Sequence, residues 1–588
     1  MPHVTPYPLN VHLNSAAQQV TSQKVASMIR TSSSLEQRLP SHRVSVRVRH
    51  ARMTFDAILE EVGALGPFQV VLAVLMVSPR IMLPCNFLLN NFIAAVPPHR
   101  CDVSRWNASG NLSEAQKAAA AIPAGDDGEP RACRMFAEPS SRLPGNGSEA
   151  TPTTECLHGW VYDNSTFSST IVTEWDLVCD WKHLPQTTNT IFFVGLMLGS
   201  LVFGVLSDNY GRKWSLLASY VLSIMFGLAS ASANSYVVFA VLRFCCGAAL
   251  AGISLISITL CVEWLDTSCR ASMCVIGSLA WSLGNMLLAG LAFLVNAWRP
   301  LIVTVTAPLA LAILTWWWVP ESARWLLANG KVEKAHLYLD KCARANNRPK
   351  ISSAVQLEAL SSVEMSDKNK KYNFLHLFKT PKLRKISLVT GIAWYGTAVT
   401  YYGISLNLDG FGLNVYLTQF VYAAIEVPAK LLIYVLINRI GRRPCLVGTL
   451  VLTGTCIGIN ILVPRALWLV RSVVAILGKG LSEASFTTIF LYTTELYPTV
   501  LRQKGLGFTS VMSRLGVSAA PLLLLLEDTW TLLPQVVLCA GATFCGLAAL
   551  ALPETLDLRL PETIRDVEEP PGRSEGQEEV PLETKNAK

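Results

Sequence analysis

Asp208-Asn209-Tyr210-Gly211-Arg212-Lys213 closes one long apolar segment, and Asn438-Arg439-Ile440-Gly441-Arg442-Arg443 closes another 230 positions later. Two further marks repeat at almost the same distance. Glu263 stands seven residues before Arg270 as Glu495 stands seven before Arg502, an offset of 232, and Pro320-Glu321-Ser322 returns as Pro553-Glu554-Thr555 at 233. Nearly constant offsets mean two copies of one structural unit. Duplication of this kind in an apolar chain points to a membrane carrier with its site between the halves.

The composition agrees. The 588 residues are 51% hydrophobic and 15% charged, with a mean hydropathy of +0.37, where a soluble chain carries about 25% charged residues. Twelve apolar blocks lie near 68–92, 187–207, 215–233, 236–260, 273–297, 300–319, 386–408, 414–437, 444–463, 467–494, 504–526 and 533–552. Each is long enough to cross a hydrocarbon core about 30 Å thick, and backbone without water partners must there be helical. The expected fold is an all-α membrane protein of twelve transmembrane helices in two six-helix bundles, residues 53–319 and 386–552. Residues 93–185 form a large external loop after the first helix, 320–385 a cytoplasmic linker with helices, and 553–588 an acidic cytoplasmic tail. Residues 1–52, Ser-rich, basic and without the apolar core of a secretory signal, read as a disordered cytoplasmic arm. Met53 opens an amphipathic stretch, Phe55, Ile58, Leu59 and Val62, and 326–345 has the periodicity of a single cytoplasmic helix.

Charge sets the orientation. The linker from Pro320 to Lys385 holds 14 Lys and Arg against 6 Asp and Glu, so it belongs inside, with both termini. The loop from Val96 to Leu184 is acidic and carries sequons at Asn107, Asn111, Asn146 and Asn164, so it belongs outside and is expected to be glycosylated. Cys101, Cys133, Cys156 and Cys179 lie in it, an even number in an oxidising compartment, which implies two disulfides in one of three pairings. The net charge of +8 reads as inward-facing charge near lipid, and nothing supports a nucleic-acid surface. No phosphate-binding loop, zinc pattern or catalytic constellation is present, so no cofactor, metal or enzymatic activity is expected, and transport must be driven by a gradient or by exchange.

Several motifs together carry a family resemblance. Trp175-Asp176-Leu177-Val178-Cys179, Pro320-Glu321-Ser322-Ala323-Arg324-Trp325-Leu326, Pro428-Ala429-Lys430 and Thr494-Glu495-Leu496-Tyr497-Pro498-Thr499-Val500-Leu501-Arg502-Gln503 resemble the organic ion transporter family of the major facilitator superfamily, from Met53 to about Glu568. Tyr401-Tyr402-Gly403 and Asn414-Val415-Tyr416 are similar to its organic anion branch. Glu263-Trp264-Leu265-Asp266 and the Glu568 region narrow the likeness to one group of that branch. The resemblance implies a monomeric, polyspecific carrier of amphipathic organic anions in the plasma membrane, basolateral in epithelium. It would work by alternating access, as an exchanger with dicarboxylate or chloride as counter-anion or by facilitated diffusion.

Depth arithmetic asks independently which residues could meet substrate. Helices rise about 1.5 Å per residue, so a residue 8 to 12 positions from a cytoplasmic boundary lies near the midplane, where carriers bind substrate. Arg514 is twelve past Arg502, Phe486 nine before Glu495 and Lys430 nine before Arg439. An ionisable group at that depth needs a cavity or a partner. Glu426 and Lys430, like Lys479 and Glu483, are four apart and are expected to neutralise each other locally. Arg514 has no acid within a turn or two, so it is the expected anion contact, an Arg fork suiting carboxylate or sulfonate; an interhelical pair, with Glu483 for example, is the bland alternative. Organic anion carriers resemble this chain in having a basic residue here, where cation carriers have an acidic one. Arg514 on one side only also suggests that the second half supplies most of the charge recognition. Trp281, Tyr401, Tyr402, Phe486 and Phe490, with Asn91 at the outer end of the first span, match family positions that line the site, although single membrane aromatics more often pack or anchor.

The repeated cytoplasmic marks read as gates. Asp208 with Arg212 and Lys213, Glu263 with Arg270, and in the second copy Arg442 and Glu495 with Arg502, place opposite charges at helix ends where pairs can hold the inner side shut. Asn438 replaces the acid of the first copy, so the two gates should differ in strength. Two readings compete with an anion carrier: an organic cation or zwitterion carrier of the same family, which Arg514 disfavours, and a receptor on a carrier scaffold, which would bind without turnover.

Overall fold

The computed structural model describes residues 59, 62–63, 65–104, 113–124, 130–137, 152–265, 267–349, 374–407, 414–464, 466–556, 561 and 564–568, the side chains of 114–115, 267–272, 499 and 528 excepted. The arm 1–52, Phe55 and Ile58, the linker stretch 350–373, the sequons Asn107, Asn111 and Asn146, and the tail beyond 568 lie outside these residues. All twelve apolar blocks fall on helices. Among the described residues ten helices are long and apolar enough to cross a membrane, from Pro67–Ile93 to Val500–Glu527. The seventh block is the 26-residue helix Pro381–Leu406, diluted in apolarity by its first-turn Lys and Arg and its Gly, Thr and Tyr content; the twelfth is Leu533–Ala549, 17 residues.

Proline divides the first and sixth spans. The first runs as Pro67–Arg80, Met82–Phe87 and Asn90–Ile93, with Pro79 and Pro84 inside it. Each proline removes a donor and crowds the preceding turn. The sixth breaks at Pro308 between Trp298–Thr306 and Leu309–Thr315. Within the first half, Gly195 and Gly199 of the second span let it lie directly on the fourth: a Cβ on either would come within 2.2 Å of the carbonyl oxygens of Phe244 and Ala248. Close approach over small residues supplies dispersion contact where lipid gives no hydrophobic drive.

The single cytoplasmic helix expected over 326–345 is instead two, Ala323–Ala328 and Val332–Ala345, because Gly330 takes a φ of +72° between them. Asn346, just past the second, ties it to the start of the first span: its side chain donates to the carbonyls of Val62 and Gly63 and accepts from the Phe68 N–H. Leu59 and Val62 of the amphipathic stretch are buried.

Outside, two short antiparallel strand pairs, His99–Cys101 with Trp160–Tyr162 and Met135–Phe136 with Thr153–Thr154, are linked by the disulfide Cys101–Cys156, and Cys133–Cys179 ties this region to the start of the second span. Glu174 fastens this region to the sixth span, accepting from Trp298 at 2.7 Å and pairing with Arg299 at 2.5 Å. Asn164 is exposed.

The second span packs against the eleventh and the fifth against the eighth, which joins the halves. On the outer side Phe92 stacks on Tyr416 at 5.5 Å, with Phe293 and Phe167 against the same ring. Asn91 donates to the Ser405 carbonyl and to Gln419. Beneath them a recess lined by Leu88, Asn285, Gln419 and Tyr422 is too tight to admit a water molecule. The outer side is closed.

Candidate functional site

At mid-depth the fifth, seventh, eighth and tenth spans converge on four charges. Lys430 lies 3.0 Å from Glu483 and 3.5 Å from Glu426, and Lys479 lies 3.2 Å from Glu426. The expectation that each lysine pairs on its own helix is corrected for Lys479: its salt bridge crosses to Glu426 on the eighth span, and Lys430 reaches Glu483 on the tenth. Crossing is favoured because buried charges need several acceptors each, more than one helix turn can supply. Ser282 donates to Glu426 at 2.7 Å and contacts Lys430 at 2.6 Å, Tyr401 donates to Glu426 at 2.7 Å, and Lys479 donates to Ser405 at 2.6 Å. Lys479 also sits 3.3 Å above the Tyr401 ring, a cation–π contact. Two lysines and two glutamates sum to zero.

Arg514 is outside that balance. Its Nε donates to Ser510 Oγ and its Nη1 to the Leu196 carbonyl of the second span, both at 3.4 Å, and among the described residues no carboxylate bonds to it. These are weak, neutral partners for a guanidinium at this depth.

The structure brings most of the expected aromatics to this layer. Trp281 donates to the Tyr401 hydroxyl at 3.2 Å; Phe486 packs on Tyr401 and on Trp394, each at 5.5 Å; Tyr402 meets Tyr401 at 5.1 Å and Phe193 of the first half at 5.3 Å. Phe490 touches Trp394 but is 41% exposed on the helix flank. Asn91 belongs to the outer seal and Lys430 is enclosed by its acceptors, so in this arrangement neither presents free donors to a ligand.

Two cations escaped the sequence reading although each interrupts an apolar block. Arg243, 1% exposed, lies 4.5 Å over the Phe192 ring and donates to the carbonyl of Asn86 in the broken first span. Arg80 ends the first helical piece of that span and donates to the Ser254 carbonyl at 3.1 Å and to Ser257 Oγ at 3.4 Å. The reading that only the second half carries an uncompensated midplane cation is therefore corrected.

The cytoplasmic marks form two equivalent networks. Arg212 forks onto Glu263 at 3.0 and 3.3 Å, and Arg442 onto Glu495 at 2.9 and 3.1 Å. Glu263 was expected on Arg270, whose side chain lies outside the described residues, and Glu495 on Arg502, whose Nε donates to the Tyr497 carbonyl. The arginine after the turn glycine takes the acid instead, since that turn aims it across the helix ends. Both networks stay within one half, so they hold its helix ends together instead of bolting the halves. Asp208 adds a 2.7 Å pair to Arg212, whereas Asn438 donates to the Tyr434 carbonyl of its own helix. Glu321 caps the third span, accepting from the N–H groups of Arg212 and Lys213, and Glu554 caps the ninth, accepting from Arg442 and Arg443. An anion at a helix N-terminus satisfies orphan donors and the dipole. Gly211 and Gly441, at φ +101° and +109°, make the turns that present them. Burial raises the Glu321 carboxyl despite these donors, while at Glu554 burial is outweighed by four backbone donors and the carboxyl is lowered.

Two duplicated bundles around a buried charge layer define a carrier of the major facilitator fold, and comparison with known proteins agrees. Residues 180–564 match the sugar (and other) transporter family. The chain is similar to solute carrier family 22 member 7 of Bos taurus, 46% identical over 540 residues covering 90% of this chain and 98% of the relative. It is 44% identical to member 7 of Homo sapiens with the same coverage, and 37% identical to member 6 of Danio rerio, covering 88% and 94%. Its fold resembles the proton:xylose symporter XylE bound to 6-bromo-6-deoxy-D-glucose, with TM-score 0.56, 14% identity, and coverage of 84% and 98%. The chain belongs to the sugar (and other) transporter family and, within it, to solute carrier family 22. It is a multi-pass membrane transporter. The group that Glu263-Trp264-Leu265-Asp266 and the Glu568 region resemble is that of organic anion transporter 2.

Proposed function

We propose that this chain is a polyspecific carrier of organic anions across the plasma membrane, with both termini cytoplasmic. It works by alternating access. The observation that carries the reading is the charge balance at mid-depth: Lys430 and Lys479 are neutralised by Glu426 and Glu483, while Arg514 bonds, among the described residues, to Ser510 and the Leu196 carbonyl. A net positive layer favours an anion, and the guanidinium fork suits a carboxylate or sulfonate. Tyr402, Phe486, Tyr401 and Trp281 supply the apolar area that a ring-bearing anion buries.

Uptake is exchange for a dicarboxylate or chloride, or facilitated diffusion. Countertransport tests it. Vesicles preloaded with an unlabelled anion take up a labelled one faster if the chain is an exchanger. Saturable uptake without acceleration leaves facilitated diffusion, and ligand binding without uptake would leave a receptor.

A further inference from the structure

We infer that Arg80 is a second anion contact, in the first half, and that it selects substrates carrying a second negative group. The inference rests on the organic anion reading above. Arg80 is fourteen residues into the first span, at the end of the piece Pro67–Arg80, and thus at the depth of the charge layer. Its Nη1 spends its bonds on an uncharged carbonyl and hydroxyl of the fourth span, and its Nε is buried with no hydrogen-bond partner. Among the described residues no carboxylate pairs with it. A buried guanidinium left in this state costs free energy unless something anionic completes it.

The side of the guanidinium that carries this unbonded Nε faces the fifth span. Gly277 of the fifth span presents no side chain, and a Cβ there would stand 3.9 Å from Arg80 Nε. The next residue, Ser278, gives its carbonyl to Lys430 at 2.9 Å. Arg80 therefore lies beside a fifth-span residue whose chain neighbour contacts the second half, and it is on the opposite half from Arg514. A substrate held between the halves by two forks must carry two anionic groups.

The test compares benzoate with phthalate, which share a ring and differ by one carboxylate, in vesicles containing the full chain. Arg80→Leu should lower phthalate uptake about tenfold more than benzoate uptake, the scale of one charge-assisted hydrogen bond. Equal losses for both would assign Arg80 to holding the first span on the fourth and overturn the inference, as would no loss. If the leucine variant does not reach the membrane, Arg80→Lys decides: it keeps charge without the fork, so the phthalate-to-benzoate ratio must fall, and an unchanged ratio overturns the inference. A wild-type chain that carries neither anion would sink the proposed function itself, a different outcome from carriage of both with an unaltered ratio in the variants.

Discussion

Glu321 and Glu554 occupy the same place in the two halves, each accepting the N–H of the arginine that follows a turn glycine, Arg212 and Arg442, at 2.9 Å. The duplication thus extends from sequence to individual hydrogen bonds. Its strength is not equal. Asp208 and the Trp325 indole bond to the Asp208 carbonyl reinforce the first network, and Thr555 bonded to Glu495 reinforces the second.

Opposite pH responses follow from the two caps. The Glu554 carboxyl is lowered in the folded chain, so the stability it adds is present above the ordinary carboxylate value and is lost as pH falls through its depressed value. Glu321 is raised, so the stability tied to its proton is present at acid pH and lost as pH rises from the ordinary value through the folded one. Hydrogen exchange at the starts of the third and ninth spans, followed from neutral to acid pH, should show the ninth losing protection while the third keeps or gains it. Parallel loss would contradict the assignment.

Gly199 lies directly against the Ala248 backbone, a Cβ there coming within 2.2 Å of its carbonyl oxygen. Gly199→Leu should cost about 1–3 kcal/mol through overpacking against the Ala248 backbone and lower the amount of protein in the membrane. Gly290, whose Cβ would meet nothing within 4 Å, is the control: Gly290→Ala should leave abundance unchanged.

The central lysines and glutamates should behave as one unit. Lys479→Met leaves Glu426 and Glu483 in excess and should destabilise by about 3–5 kcal/mol, the cost of breaking a buried pair. Combining it with Glu426→Gln should recover part of that loss, and a double-mutant cycle on thermal unfolding in detergent reads the coupling. Additive losses would contradict a shared network.

The fold was readable because length and apolarity are local properties: each apolar block that the sequence shows falls on a helix, and the repeat is written in the same residues. The site was readable only in part. Depth arithmetic reached Arg514 because a helix is a ruler, yet it could not say that Lys479 crosses to Glu426, since partner choice depends on which helices meet. Arg80 and Arg243 were visible as charges inside apolar blocks, and a systematic search for such interruptions finds both. Asn91 illustrates the converse, a matching position that the closed outer side turns into a seal. The break at Gly330 depends on one positive φ that helical periodicity does not register.

Arg514 tests the account most directly. Uptake of labelled benzoate into cells, with surface abundance measured in parallel, should be abolished in Arg514→Asp while the protein still reaches the surface, because reversing the sign at this guanidinium removes a midplane cation of the second half that, among the described residues, no carboxylate balances. Benzoate uptake at the wild-type rate by that variant would contradict the account.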